Sequence, residues 1–484
     1  MRLSPTFDTP LLAVPFCSVK LGANARSDGL NQPMPRTWEL VEKLMSDSPG
    51  VPDMNILFVH ENGGISGGAE TNIRITAEEL GKRGHTVGLL HTQTGKPIAW
   101  GKHFSRTFIL PVESRIERAR EALRTFKPDI LYIHKLKDLR LFEALLQSHV
   151  PAVRMIHDHE LYCLRNYKYN PLTRKICTRS ASGFCVFPCL APLARNRNGR
   201  LPIKWASYGD RLEEMRLTKE CRQLIVYSDY SKGELVRNGF DPTKIHIHVP
   251  ILCWDQDGPT SSFSERNLIL FAGQIIRGKG VDLLLKSLSK LNVPFECTIL
   301  GDGSHRASCE KLSARLGLAK RVKFVGYVPH AQMRDFYLDA TVFAMPSVWP
   351  EPFGMAGPEA MRYGLPVVAF DAGGIKEWLK DGHNGFLVPW MDTDAFARRL
   401  QLLLTNKNLA RDMGKEGLVH VNASYSAPSQ IDRLEHLFRS VCDEGRIADQ
   451  NRSSPTARIN EAAELLDLSE RQSRAMDAAP VNAI

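Results

Sequence analysis

No run of 18 or more apolar residues occurs in the 484-residue chain, so no stretch reads as a membrane-spanning helix. The glycine-rich loop at 63–68 lacks a following Gly-Lys-Ser/Thr and lacks Gly-x-Gly-x-x-Gly spacing, which sets aside the P-loop and dinucleotide fingerprints. Paired Cys-x2-Cys knuckles are missing, and ten cysteines are too few for a disulfide scaffold in a chain this long. No nucleic-acid motif accompanies the excess of cations, so no nucleic-acid partner is expected. What is present fits a water-facing globular protein of two or three domains, 43 % hydrophobic and 24 % charged. The formal net charge of +10 suits an anionic partner such as a nucleotide phosphate or an acidic lipid surface.

Residues 1–52 read as a poorly ordered extension rich in Pro, Ser and Asp. Residues 11–19, followed by Ala23-Asn24-Ala25, imitate a secretion signal. Asp8, Pro10 and Pro15 interrupt that run and only Arg2 charges its front, so a cytoplasmic chain is expected, with contact to the inner face of the membrane left open. From 53 to 254 short apolar runs alternate with helical patterns: strands at 55–60, 86–91, 129–134, 152–157, 224–227 and 245–251, and helices at 69–82, 115–126, 139–147 and 231–238. A polar stretch at 255–265 reads as a linker. The alternation restarts over 266–425, with strands at 267–272, 296–300, 322–324, 342–345 and 365–370, and helices at 281–291, 311–316 and 332–338. Further helices are expected at 393–404, capped by Asp392 or Thr393, at 410–417, and at 430–441 with Ser429 as N-cap. The architecture expected is α/β: two Rossmann-like doubly wound parallel sheets facing a cleft. Residues 426–445 hold a helix that returns to the first domain, and 446–484 form a mostly disordered tail with one helix candidate at 462–475.

Chemistry concentrates at residues 346–369. Glu351 and Glu359 are separated by seven residues, with a Pro/Gly-rich turn between them and a helix expected to start near Phe353–Gly354. Two carboxylates can bind hydroxyls, and a helix N-terminus can bind phosphate. Upstream, Gly63, Gly64, Gly67 and Gly68 allow a close backbone approach to a ligand. His157 ends a strand on the side where open α/β sheets bind ligands. Cys163, Cys177, Cys185 and Cys189 follow with spacing C-x13-C-x7-C-x3-C, which leaves three readings: a structural zinc, two local disulfides, or free thiols. Residues 190–222 carry many cations, either as a solvated helix face or as a patch for anionic lipid or an acceptor diphosphate.

Taken in order, GGAE at 67–70, His157, FAGQIIRGKGVD at 271–282, LGDG at 300–303, VGYVP at 325–329, EPFGMAGPEAMRYGLPVVA at 351–369, AGGIKE at 372–377 and DGHNGFLVP at 381–389 resemble glycosyltransferase family 4, the retaining GT-B enzymes, over roughly residues 54–425. The resemblance implies that Glu359 bonds the nucleotide ribose and Glu351 lies near the sugar hydroxyls. It also implies that Lys279 binds the diphosphate, that Phe353, Gly354 and Met355 offer backbone N–H groups, and that Gly67, Gly68 and Gly273 lie close to the donor. His157 matches the histidine near the sugar. The family has an arginine where Gln274 stands here; Arg277, three residues on, is the cation available in its place. The activity implied is hexosyl transfer from a nucleotide-sugar donor to a lipid-linked or saccharide acceptor in polysaccharide assembly. Lys279, Arg277 and backbone amides would stabilise the charge that grows on the leaving phosphate. No Asp-x-Asp suited to a metal–diphosphate complex is apparent in the cleft, so no cofactor or divalent ion is expected to be required. Three alternatives remain: a nucleotide-sugar epimerase, a phosphorylase, and a non-catalytic scaffold.

Overall fold

A computed structural model describes residues 53–61, 68–92, 101–170, 173–195, 203–252 and 264–453. The expectations for residues 1–52, 255–263 and 454–484, and for Gly63, Gly64 and Gly67, lie outside the described residues. Two parallel sheets account for most strands. The first contains β1 (Asn55–His60), β2 (Thr86–His91), β3 (Arg106–Ile109), β4 (Ile130–Ile133), β5 (Ala152–Met155), β8 (Gln223–Val226) and β9 (Ile245–Ile247) in the order β3-β2-β1-β4-β5-β8-β9. A small antiparallel hairpin, β6 (Leu193–Arg195) and β7 (Ile203–Trp205), interrupts it. The second sheet contains β10 (Leu268–Ala272), β11 (Glu296–Leu300), β12 (Val322–Gly326), β13 (Val342–Met345), β14 (Val367–Phe370) and β15 (Gly385–Val388) in the order β12-β11-β10-β13-β14-β15. In both, the direction of strand addition reverses beside the first strand, between β1 and β4 and between β10 and β13. Such switch points open a crevice at the carboxyl ends of the strands, where α/β sheets hold ligands.

The helices, in order, are α1 (Gly68–Lys82), α2 (Arg115–Phe126), α3 (Leu139–Leu146), α4 (Tyr208–Glu220), α5 (Asp229–Arg237), α6 (Val281–Leu288), α7 (Arg306–Arg315), α8 (Met333–Asp339), α9 (Ala356–Arg362), α10 (Thr393–Thr405), α11 (Lys407–Ser424) and α12 (Ala427–Ser453). They flank the sheets, which is why β4, β5, β13 and β14 are buried along their whole length and, Arg154 in β5 apart, read as apolar runs. One apolar cluster runs through both sheets and takes in α12, with Ile431, Leu434, Phe438 and Val441 buried. Two further clusters fill the outer layers of each half. The Phe438 ring stands 5.0 Å from that of Tyr132 on β4. Arg83 reaches Asp432 at 2.5 Å and Glu435 at 3.0 Å, so α12 lies against the first sheet. Among the described residues no helix is long and apolar enough to cross a membrane.

Several boundaries differ from the sequence reading, each for a physical reason. β3 was not expected: its four residues sit at a sheet edge, none of them buried, so they lack a periodic signal. The helix expected at 410–417 extends over Lys407–Ser424, although Gly414 and Gly417 lie inside it. Both glycines serve close packing: a Cβ at Gly414 would fall 1.9 Å from the Gly364 carbonyl oxygen, and one at Gly417 would fall 3.1 Å from Met361 Cγ. Ser429 is not the cap of the last helix, which begins two residues earlier at Ala427 and carries Ser429 in its first turn. Asp392 does cap α10, accepting from the Asp394 and Ala395 N–H groups.

Candidate functional site

The loops after β10 and β13 are locked together at the second switch point. Gly280 has φ +70°, and a Cβ there would lie 1.8 Å from the Pro346 carbonyl oxygen, so only glycine permits this approach. The Val348 and Trp349 N–H groups both donate to the Gly278 carbonyl, at 2.8 and 3.1 Å. This zipping brings Lys279 and Glu351 together: Lys279 Nζ donates to Glu351 Oε1 at 2.7 Å, and Ser347 Oγ donates to the same oxygen at 2.6 Å. Lys279 Nζ also stands 5.1 Å from the Trp349 ring centroid. Glu351 is only 3 % exposed, so these donors stand in for the water it has lost.

The first domain grips the same loop. Ser228, which caps α5, donates its Oγ to the Pro352 carbonyl at 2.5 Å. His159 Nε2 reaches the Pro350 carbonyl at 2.6 Å, and Tyr162 OH meets its Nδ1 at 2.8 Å. A carbonyl can only accept, so Nε2 carries the proton and Nδ1 accepts from the tyrosine. Trp378 Nε1 donates to the Phe353 carbonyl at 2.7 Å. Gly354 takes φ +87° between the buried Phe353 and the half-buried Met355. Met355 then meets the other domain: a Cβ on Gly68, at the start of α1, would lie 3.3 Å from Met355 Sδ.

The helix after this loop, α9, starts at Ala356 rather than near 353–354 and places Glu359 in its first turn. Glu359 is half-buried beside Tyr337. Burial pushes its carboxyl up to about 7, against the opposing effect of a hydrogen bond from Tyr337. The Tyr337 ring is held by stacking on Tyr363, with centroids 4.9 Å apart. Because the folded-state pKa is raised, this carboxyl favours the folded chain below the unfolded value, and that contribution is lost as pH rises through about 7. A hydroxyl ligand that bonds the ionised form has the opposite preference and binds more tightly as pH rises through the same range. Tyr337→Phe is therefore expected to move the midpoint of pH-dependent ligand binding upward; calorimetric titrations across pH 5–9 check this, and an unmoved midpoint contradicts the pairing.

On the first-domain side, His157 lines a cavity of about 810 Å³ together with Lys135, Asp158, Tyr167 and, from the second domain, Arg277 and Ser304. His157 Nε2 lies 2.9 Å from His134 Nδ1, and His157 Nδ1 lies 2.7 Å from Tyr227 OH. Burial lowers its pKa to about 3, so the ring is neutral at physiological pH. Gln274 is exposed beside Gly273, whereas Arg277 faces the cavity. The sequence-predicted residues thus fall into two groups: Lys279, Glu351, Gly273, Phe353, Gly354, Met355 and Glu359 around the second switch point, and His157 with Arg277 around the cavity.

The four cysteines do not join either group. Cys163, Cys177, Cys185 and Cys189 are free thiols, and no group of three or more His, Cys, Asp or Glu that could hold a metal occurs among the described residues. The chain between them follows its own turns: Cys163 lies behind the His159 turn, while Cys185 and Cys189 belong to the turn after Ser182. Neither the zinc nor the disulfide reading is supported by this arrangement. Part of the basic stretch at 190–222 is neutralised on α4, where Arg216 pairs with Glu213 and Glu220, and Arg211 with Glu214.

Ser347, Trp349, Tyr337, His159, His134 and Tyr227 were not singled out from the sequence. Each acts by holding another residue, and only the fold reveals the partner. Strand-end position was available as a signal for His134, which directly follows β4 as His157 follows the β5 segment.

The model of the family described as Glycosyl transferases group 1 matches residues 254–419, and that described as Glycosyltransferase Family 4 matches residues 66–248. A D-inositol 3-phosphate glycosyltransferase of Streptomyces scabiei is 31 % identical over 233 residues, 43 % of this chain and 52 % of the relative. An alpha-D-kanosaminyltransferase of Streptomyces kanamyceticus is 25 % identical over 253 residues, 49 % of this chain and 64 % of the relative. The matches thus span about half to two-thirds of the length of these curated relatives. Among solved structures, Anabaena Alr3699/HepE in complex with UDP and glucose superposes with TM-score 0.62 at 18 % identity, covering 80 % of this chain and all of that one. Sucrose-phosphate synthase from Thermosynechococcus elongatus superposes equally well, at 18 % identity, with 80 % of this chain and 98 % of that one covered. This likeness is one of fold, two Rossmann-like domains in the GT-B arrangement.

Proposed function

We propose, from the premise that this chain belongs to the group 1 glycosyl transferases, that it transfers a sugar from a nucleotide-sugar donor to a hydroxyl of a lipid-linked or saccharide acceptor. The observation that carries the reading is the Lys279–Glu351–Ser347 constellation at the second switch point, with Glu359 on the following helix and Gly68 facing Met355. Glu359 takes the ribose hydroxyls and Glu351 the sugar hydroxyls, while Lys279, Arg277 and the backbone near Gly68 take the diphosphate. When the bond from the anomeric carbon to the phosphate oxygen breaks, the electron pair leaves with the phosphate. The acceptor oxygen bonds the same carbon, and its proton passes to the departing phosphate. Pre-placed cations lower this barrier without reorganising.

Neither Glu351 nor Glu359 serves as an acid/base pair in this scheme. Glu351 is held by Lys279, and Glu359 is committed to a hydroxyl ligand. Retention of configuration, a hexosyl donor, a place in polysaccharide assembly and independence from a divalent ion belong to the proposal. The finding that UDP occupies the Anabaena neighbour makes uridine donors the first to try. Thermal unfolding with a panel of nucleotide sugars is the test. One donor should raise the melting temperature, and at about 100 times its Kd the gain corresponds to about 2.7 kcal/mol. That donor should also be turned over with acceptor, with the product anomer matching the donor. Binding without any turnover would favour the scaffold alternative, to which the exchange of arginine for Gln274 points. A panel that stabilises nothing overturns the reading.

A further inference from the structure

From Leu161 to Gly209 the chain holds nine lysines and arginines and no aspartate or glutamate. Two of these cations are buried and paired with acids from elsewhere, Lys168 with Glu234 and Arg174 with Asp282, whereas Lys175 and Arg179 face solvent. The same stretch is where apolar side chains face solvent. Of the twelve large hydrophobic residues exposed among the described residues, five fall within ten positions: Phe184, Val186, Phe187, Leu190 and Leu193. Phe187 is 76 % exposed. Leu212, near the start of α4, is exposed as well, and α4 is tied to this segment because the Ala206 N–H donates to the Pro192 carbonyl at 2.8 Å. Scattered exposed apolar residues need no explanation, but five within ten positions beside exposed cations do.

We propose that the loop at 184–193 is a membrane-docking element that seats in the interfacial region of an anionic lipid bilayer, with Phe187 and Leu190 entering the headgroup boundary and Lys175 and Arg179 meeting lipid phosphates. The guanidinium of Arg179 covers the Phe184 ring at 3.8 Å, and both Arg179 and Lys175 are exposed, so the chain leading into the apolar tip presents cations to solvent. A second copy of the chain is the poorer occupant, since a symmetric interface would set the exposed Lys175 and Arg179 of one copy against those of the other. The loop is joined to the cavity wall: Arg165, which lines the cavity, donates to the Cys189 and Leu190 carbonyls at 2.6 and 3.1 Å. Docking would therefore hold the cavity mouth at the lipid surface. This consequence, presentation of a lipid-carried acceptor, rests on the transferase reading; the docking itself does not.

Co-sedimentation of the full chain with phosphatidylcholine vesicles, with and without phosphatidylglycerol, tests the proposal. The wild type should pellet with the anionic vesicles, less so as salt rises, and stay in solution with the neutral ones. The exposed-site variant Phe187→Ser/Leu190→Ser should weaken partitioning about tenfold or more. Lys175→Glu/Arg179→Glu should remove most of the preference for anionic lipid. Melting temperature and nucleotide-sugar binding should match the wild type in both variants, which separates failure of docking from failure of the donor site. Wild type that stays in the supernatant with anionic vesicles overturns the proposal. So does a Phe187→Ser/Leu190→Ser variant that pellets like wild type, or one that instead converts a dimer to a monomer on gel filtration.

Discussion

Lys279→Ala is expected to lower turnover about 10²–10³-fold, the effect of removing one pre-placed donor from a developing oxyanion. The substitution has a second consequence. Glu351 is buried and takes both Lys279 Nζ and Ser347 Oγ on the same oxygen. Removing the lysine leaves a buried carboxylate short of its counter-charge, which destabilises by about 3–5 kcal/mol when the pair is fully enclosed. Lys279 keeps 22 % of its side-chain surface, so the lower end of that range applies. Combining Lys279→Ala with Glu351→Gln removes the orphaned charge and should restore much of the melting temperature without restoring turnover. Initial rates with the donor identified by the panel, measured beside thermal unfolding, distinguish the two effects. A single variant with turnover within a few-fold of wild type would remove Lys279 from the proposed chemistry.

Gly280→Ala is expected to have the largest effect on stability of any single methyl added at the site. A left-handed φ costs a non-glycine residue about 1–2 kcal/mol, and overpacking adds about 1–3 kcal/mol. Here the added carbon would stand 1.8 Å from a backbone oxygen, so no side chain can turn aside to make room. The Pro346 loop must move, carrying Ser347 and Glu351 with it. Urea denaturation should show a loss of about 2–5 kcal/mol, and donor affinity should fall in parallel. Gly382→Ala provides the comparison. It has φ +75° but nothing within 4 Å of a Cβ, so it should lose only the backbone contribution. Equal losses at the two positions would show that backbone strain alone, and not the contact with Pro346, fixes Gly280.

Much of the fold was legible because buried parallel strands write themselves as short apolar runs. The runs at 55–60, 86–91, 296–300 and 342–345 match β1, β2, β11 and β13 residue for residue. Elements without that signature were missed or misplaced. The edge strand β3 is short and nowhere buried, α11 contains two glycines that local propensity penalises, and α12 starts at Ala427 before the residue that looks most like a cap. At the candidate site, the chemically obvious residues could be named from the sequence. Their states could not. That Glu351 would be neutralised by Lys279, that Glu359 would titrate near 7 against Tyr337, and that both nitrogens of His157 would be engaged by His134 and Tyr227 all depend on contacts across long stretches of chain. The cysteine spacing left zinc, disulfides and free thiols open, because intervals alone do not say whether the turns between thiols bring them together.

The most direct test of the account is a crystal structure of the protein with the donor selected by the panel. The ribose hydroxyls are expected at hydrogen-bond distance, about 2.5–3.0 Å, from the Glu359 carboxylate. Lys279 is expected turned from Glu351 toward the diphosphate, with the diphosphate lying between that lysine and the start of α1 at Gly68. A nucleotide bound wholly in the first-domain cavity around His157, with Glu359 untouched and Lys279 still on Glu351, would contradict it.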